Sequence, residues 1–323
     1  MTNKNSTVDT IRELLHAAND ILITSHIRPD GDAIGSVLGL GLALMATGKD
    51  VQIVLEDGLP ATFKHLSGAD LVSKTIKEDY DLAVVVDSSD MDRTGSILGE
   101  RQPDISIDHH ITNTQFARHN LVEDKPAAAA IIADHLVDWD LPITPPAVEA
   151  LLTGIITDTI GFSTSNMTGD VLRTAADLVD HGADIHMLYN KALNLRSYSE
   201  TKLWGLGLNR MQRKGRVVWT SITKEDKKLS HFNGKGSADI INLLAEVKDA
   251  DIAIVLLEET SHQVKVSWRA KQPYDISNLA LSFGGGGHPA AAGAEVPGTL
   301  ENVEQQILNA TFDYIHKGTP PIN

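Results

Sequence analysis

The sequence contains no cysteine, so disulfides and thiolate metal sites are both excluded and any chemistry rests on oxygen and nitrogen groups. It also lacks a basic excess. Against 28 Lys and Arg stand 43 Asp and Glu, a formal net charge of −15. Coating a long duplex nucleic acid needs a basic surface to displace counterions, so that class of partner is not expected. Short nucleic acids and small anionic substrates stay open, because a few local cations or bound divalent metals can hold them. No apolar run is long enough to span a bilayer, and the opening MTNKNSTVDTIREL has no apolar signal core. A soluble, cytoplasmic protein with no membrane partner is expected. No tandem repeat is visible, and the only low-complexity stretch is the short KGTPPIN.

What is present suffices for two domains: 323 residues, 42% of them hydrophobic. Val8, Ile11, Leu14, Leu15 and Ala18 recur at helical spacing, which predicts an opening helix. After it come the apolar stretches ILIT (21–24), VQIVLE (51–56), LAVVVDSSD (82–90) and ISIDHH (105–110), with a glycine-rich helical stretch over 33–47. Strands that are apolar throughout and separated by helices predict an α/β fold, a parallel sheet with helices on both faces. Helices are also expected over 126–139 and 146–162, and a continuously helical pattern over 169–210. The expected domains are 1–190 and 211–323, joined by a helical linker over 191–210. The second domain, with RVVWTSIT, DIAIVLLEE, HQVKVSWRA and a helix over 275–282, reads as a smaller α/β unit.

Polar residues gather where the first-domain strands end: His26, Asp30 and Asp32, then Asp87, then Asp108, His109 and His110, with Asp158 near the end of a helix. Ligands of open α/β sheets bind at the carboxyl ends of strands. Each motif alone has an ordinary explanation, since an Asp followed by Ser or Thr commonly caps a helix and DHH suits a surface turn. The recurrence of carboxylates and imidazoles at successive element ends is not required by folding. A sulfur-free set of this kind suits divalent Mn, Mg or Co. In DGD the two aspartates would diverge along an extended loop, with Gly31 allowing a sharp turn. Farther on, Gly284, Gly285, Gly286 and Gly287 expose backbone amides, His288 follows, and PAAAG begins with Pro289, favoured in a first helical turn. Arg269 offers a planar fork for phosphate, and Arg93 could touch a phosphate near the carboxylates. Phe162 and Trp268 are weaker candidates for stacking on a base.

SHIRPDGDAIGS, VVVDSSD, ISIDHH and GIITDT, in this order, resemble the four motifs of the DHH phosphoesterase family, and VSWRA and FGGGGHPAAAGA resemble its DHHA1-type associated domain. The resemblance covers nearly the whole chain. It implies two divalent ions, Mn²⁺ first with Mg²⁺ or Co²⁺ as alternatives. His26, Asp30 and Asp87 would hold one ion; Asp32, Asp87, His109 and Asp158 would hold the other, with Asp87 as the bridge. Such pairs acidify a shared water and clamp the attacking and leaving oxygens. Asp108 is expected to orient a ligand histidine, and His110 to face substrate and stabilise the leaving oxygen. Arg269 and His288 are expected to bind substrate. The sequence departs from many members at Ile160, Ser163 and Ala270, all beside the expected substrate.

Within the family, the basic C-terminal motif of the type II pyrophosphatases is missing, and the large single-strand exonucleases need more chain than is present. The branch implied is the compact bifunctional oligoribonuclease and 3'-phosphoadenosine 5'-phosphate phosphatase, acting on short RNA oligonucleotides and small nucleotides. A phosphodiesterase for linear or cyclic dinucleotides shares every motif, and a nucleotide-binding regulator without catalysis is the alternative of another class. The oligomeric state stays open, a homodimer included.

Overall fold

The computed structural model describes residues 2–77, 79–234 and 236–316, so KGTPPIN lies outside the described residues. Two units are present, 1–195 and 196–323. The first comprises α1 (Thr2–Ala17), β1 (Asp20–Thr24), α2 (Gly31–Met45), β2 (Asp50–Val54), β3 (Val72–Ser73), β4 (Leu82–Val86), β5 (Ile105–Asp108) and β6 (His119–Val122). Helices α3 (Ala128–His135), α4 (Pro145–Asp158), α5 (Gly169–Asp180) and α6 (Ile185–Tyr189) follow. Its strands form one parallel sheet in the order β3-β2-β1-β4-β5-β6. Alternate strand residues serve two cores. Ile21, Ile23, Val84, Val86 and Ile107 pack with the long helices, whereas Leu22, Val54, Ala83 and Val85 pack with Leu98 and the loops that carry Met91 and Phe116.

Helix α2 sets the geometry of this unit. It is buried over nearly its whole surface, as a helix apolar all round must be. Glycines let α4 lie against it: a Cβ on Gly35 would stand 2.5 Å from the Ala150 carbonyl oxygen, and one on Gly31 would stand 2.3 Å from Thr157 Oγ1. Gly31 is therefore the first residue of a helix, kept small by the crossing of α4. This corrects the expectation of an extended DGD loop: Asp30 is the N-cap, its Oδ1 accepting from the amides of Asp32 (3.0 Å) and Ala33 (3.1 Å), and Asp32 lies in the first turn.

The second unit contains α7 (Tyr198–Asn209), β7 (Gln212–Lys214), β8 (Val217–Ile222), α8 (Lys224–Ser230), α9 (Ile240–Ala245), β9 (Ile252–Thr260), β10 (Gln263–Ala270), α10 (Ser277–Ser282), β11 (Gly286–His288), β12 (Ala291–Pro297) and α11 (Leu300–His316). Its sheet runs β11-β12-β10-β9-β8-β7. Much of the stretch expected as a linker is α7, whose Leu203 is buried with Val218, Ile222 and Ile240 of this unit. The helical pattern before it breaks at 195–197, where Ser197 opens α7 with a capping box to Glu200. Behind His288 there is no helix: Pro289 and Ala290 form the turn of the β11–β12 hairpin.

Candidate metal centre

Strand ends and one helix end deliver the polar side chains of the first unit to one place. His26 follows β1, Asp30 and Asp32 open α2, Asp87 follows β4, Asp108 ends β5 with His109 and His110 after it, and Asp158 ends α4. Asp87 holds φ 52°, a left-handed conformation that Asp tolerates better than most residues, while its amide still donates to Ile107 O at 2.9 Å and continues the sheet.

The spacing of donors is the informative quantity. His26 Nε2 lies 3.5 Å from Asp87 Oδ2 and 3.8 Å from Asp30 Oδ1. His109 Nε2 lies 3.4 Å from Asp87 Oδ1, 3.8 Å from Asp158 Oδ2 and 3.9 Å from Asp32 Oδ2. These gaps are too wide for good hydrogen bonds, yet they suit ligands that share an ion at bonds of about 2.0–2.2 Å. The groups His26, Asp30, Asp87 and Asp32, His109, Asp158 each could hold a metal, as could Asp87, Asp108, His109 and His110. Oxygen and imidazole donors without sulfur fit a divalent cation. The two oxygens of Asp87 face different imidazoles.

Hydrogen bonds orient the rings. His26 Nδ1 donates to the Ile27 carbonyl at 2.8 Å and His109 Nδ1 to the Lys125 carbonyl at 3.1 Å, which turns each Nε2 toward the cluster, where the neutral ring can ligate an ion. Asp108 orients His110 rather than a ligand imidazole: His110 Nδ1 donates to Asp108 Oδ1 at 2.7 Å. Asn113, which sequence reasoning missed, donates to the other oxygen of Asp108 at 2.7 Å and to Ser88 O at 3.1 Å. Asp32 also caps α3, whose Ala127 N-cap offers no side chain: Oδ2 accepts from Ala128 N at 2.6 Å and Oδ1 from Ala129 N at 2.9 Å. The helix amides and dipole thus help hold a buried negative charge there.

The cluster crowds several carboxylates and imidazoles together, and their electrostatics show it. Burial first, and then the charges of Asp87 and Asp158, push Asp32 well above the carboxylate range. Asp158 is pushed up to about 6 by burial, with a smaller contribution from Asp87. Burial by itself would lower both imidazoles, but neighbouring carboxylates overcome it and raise His26 to about 10 and His109 to about 9.

The other residues singled out in the sequence fall in two places. The Arg93 carbonyl accepts from Ile27 N at 2.6 Å, which ties its 3₁₀ turn to the turn that carries His26. In the second unit, Arg269 pairs with Ala291 across β10 and β12, and His288 pairs with Ala291 across β11 and β12. Directly opposed residues share a sheet face, so Arg269 and His288 flank a small alanine in one row. Arg269 is half-buried, has no carboxylate in a salt bridge among the described residues, and burial lowers its pKa against the weaker influence of Asp239. Much of the glycine run has a packing reason. A Cβ on Gly285 would stand 2.1 Å from Gly293 O and one on Gly287 2.5 Å from Ala291 O, and the amides of Gly284 and Gly285 are spent on Leu281 O and Ala280 O. Gly286 and His288 remain exposed on the edge strand. Trp268 is wholly buried in the second core and so is no stacking platform, whereas Phe162, half-buried, packs one side against the first core.

Residues 20–155 match the family described as DHH family, N-terminal domain, and residues 211–317 match the DHHA1 domain. The bifunctional oligoribonuclease and PAP phosphatase NrnA of Thermus thermophilus is 34% identical over 93% of this chain and 92% of its own. The chain belongs to the DHH family. Among solved structures, an exopolyphosphatase-related protein from Bacteroides fragilis superposes on this DHH protein with a TM-score of 0.86 at 25% identity, covering 96% of both chains. The cyclic-di-AMP phosphodiesterase GdpP of Bacillus subtilis is 24% identical over 95% of this chain and half of its own length. The DHH match takes in every cluster residue except Asp158, which lies three positions beyond it, and the DHHA1 match contains Arg269 and His288.

Proposed function

We propose that this DHH protein is a metal-dependent phosphoesterase that hydrolyses short RNA oligonucleotides to nucleoside 5'-monophosphates and removes the 3'-phosphate of 3'-phosphoadenosine 5'-phosphate. The observation that carries the reading is the pair of ion-wide gaps on either side of Asp87, 3.5 Å to His26 and 3.4 Å to His109. His26, Asp30 and Asp87 would hold one ion; Asp32, Asp87, His109 and Asp158 the other, and the donor set favours Mn²⁺, with Mg²⁺ or Co²⁺ as substitutes. When bound, the ions supply Lewis acidity at the phosphate and acidify the attacking water.

The chain's own residues do the rest. Asp108 fixes the His110 ring through Nδ1, so that Nε2 is left to face the leaving oxygen; the imidazolium form, its charge balanced by Asp108, would give the leaving oxygen the Nε2 proton and return to the neutral ring. Arg93 would add a cation beside the cluster, and Arg269 with His288 would hold a second phosphate of the substrate through charge-assisted hydrogen bonds. The strong similarity to NrnA along almost its full length supports the substrate class. Among the described residues no helix is long and apolar enough to cross a membrane.

The test is product analysis of the purified protein with Mn²⁺ and, in parallel, a five-nucleotide RNA, phosphoadenosine phosphate, pApA, cyclic di-AMP and pyrophosphate. AMP from phosphoadenosine phosphate and mononucleotides from the RNA are expected. Cleavage confined to pApA or cyclic di-AMP would move the protein to dinucleotide turnover, the reading favoured by its similarity to GdpP. Tight nucleotide binding with no Mn²⁺-dependent turnover would make it a regulator.

A further inference from the structure

Two exposed isoleucines closely follow cluster residues in the chain, and neither belongs to a core. Ile111 follows His110 and is 92% exposed, the most exposed large hydrophobic side chain among the described residues. Ile160 follows Asp158 by two positions and is 65% exposed. Each therefore lies two residues beyond one member of the pair His109 and Asp158, whose donor atoms are 3.8 Å apart.

Ile160 is also strained. It holds φ 47°, where a β-branched residue is a real outlier and glycine would sit without cost. Its neighbours turn inward: Phe162 packs against the core, and Gly161 is pressed on Tyr189, where an added Cβ would stand 2.5 Å from the ring. Hydrogen bonds hold the loop in place, from Ile160 N to Thr157 O (3.1 Å), Gly161 N to Ile156 O (2.8 Å), Phe162 N to Thr159 Oγ1 (2.9 Å) and Ser163 Oγ to Ile160 O (2.7 Å). The Ile111 turn is pinned as well, by Asn113 N to His110 O at 3.0 Å and by the Asn113 side chain. Isolated exposed hydrophobics are ordinary. An exposed pair on pinned turns, each member two positions past a donor of the polar cluster and one of them in a costly backbone conformation, is what a ligand with an apolar face would require.

We infer that Ile111 and Ile160 are specificity residues that hold the nucleobase one sugar away from the phosphate at the metal cluster. The inference rests on the phosphoesterase reading above. The two isoleucines would contact a flat apolar ring, while the carboxylates and imidazoles of the cluster address the phosphate. Aliphatic contact of this kind discriminates a base-bearing from a base-free substrate without reading base identity by hydrogen bonds.

The experiment compares kcat/KM for phosphoadenosine phosphate with that for its base-free counterpart, methyl ribofuranoside 3,5-bisphosphate, in the Mn²⁺-loaded full chain. The wild-type preference for the nucleotide is expected to fall about fivefold in Ile160→Gly and in Ile111→Ser, and to be kept in Ile160→Leu. Ile160→Gly should melt no lower than wild type, because glycine accepts the left-handed backbone. An unchanged preference in both variants, or an equal loss on both substrates, would overturn the inference and leave the phosphoesterase reading standing. A wild-type protein that turns over neither substrate would overturn both, a failure seen without any variant.

Discussion

Asp87 is asked to do three things at once: end a buried strand, hold φ 52° and direct its two oxygens at two different imidazoles. Asp87→Ala removes the donor common to both proposed ion sites and is expected to abolish turnover; near-normal rates would sink the mechanism. Arg269→Ala, by contrast, leaves the cluster intact and should raise KM about tenfold with kcat kept, which steady-state kinetics separates directly. Asn113→Ala frees one oxygen of Asp108, and through it the His110 ring. We expect kcat to fall about tenfold with Mn²⁺ affinity preserved by calorimetry, whereas a merely structural Asn113 would lose both together. The positions that converge at the cluster were legible in the sequence because each lies at or just past the end of a strand, at the start of a helix or at the end of one. What each one does was less so. Asp32 caps α3 by bonding to Ala129, 97 positions away, and nothing local to DGD announces that contact. The partner of His110 and the role of Asn113 depend on how a turn folds back, which residue types alone do not state.

The crossing of α2 and α4 places Asp32 and Asp158, so it is where the fold acts on the chemistry. Gly35→Ala puts a methyl group against the backbone of α4, 2.5 Å from Ala150 O and 2.7 Å from Gly154 N, where no flexible side chain can yield. A loss of about 1–3 kcal/mol in stability is expected, with weakened Mn²⁺ binding as the helices part, measurable by denaturant unfolding and titration of the same variant. In the second unit, Arg210 grips both oxygens of Asp226, at 2.6 Å for Nη2 to Oδ1, and so fastens α7 to α8. Burial alone would raise the pKa of Asp226, but Arg210 and Thr223 overcome it and hold the carboxyl below its usual range. A depressed folded pKa gives stability that is complete above the unfolded value of about 3.9 and is lost as pH falls through the folded value. Asp226→Asn should therefore flatten the acid limb of the stability profile, and an unaltered limb would show that the pair is inert. Strands β1, β2, β4 and β5 were readable as apolar runs, whereas β3 has two residues and β6 reads HNLV, too short or too mixed to stand out. PAAAG was misread because a small-residue run suits a helix as well as the tight β11–β12 hairpin; cross-strand closeness at Gly285 and Gly287 decided for the hairpin.

At the scale of the whole molecule, the two units have separate cores, and every residue of the proposed ion sites belongs to the first. Linkage then makes a spatial prediction. An ion that binds only the folded first unit stabilises it by RT ln(1 + [M]/Kd), about 2.7 kcal/mol at a hundredfold excess over Kd. None of its proposed donors lies in the second. Hydrogen exchange with and without Mn²⁺ should accordingly show added protection in β1, β4, β5 and the adjoining parts of α2 and α4, and none in the β8–β9–β10 core. A chelator should reverse the gain. The His26, Asp30, Asp87 set and the Asp32, His109, Asp158 set have no member in common, but Asp87 Oδ1 lies 3.4 Å from His109 Nε2, so filling one changes the charge felt by the other. His26→Ala is the discriminating variant, since it removes a donor from the first set alone. It should reduce the protection gained around β1 while leaving much of that at α4; equal loss everywhere would mean that the two sets act as a single site.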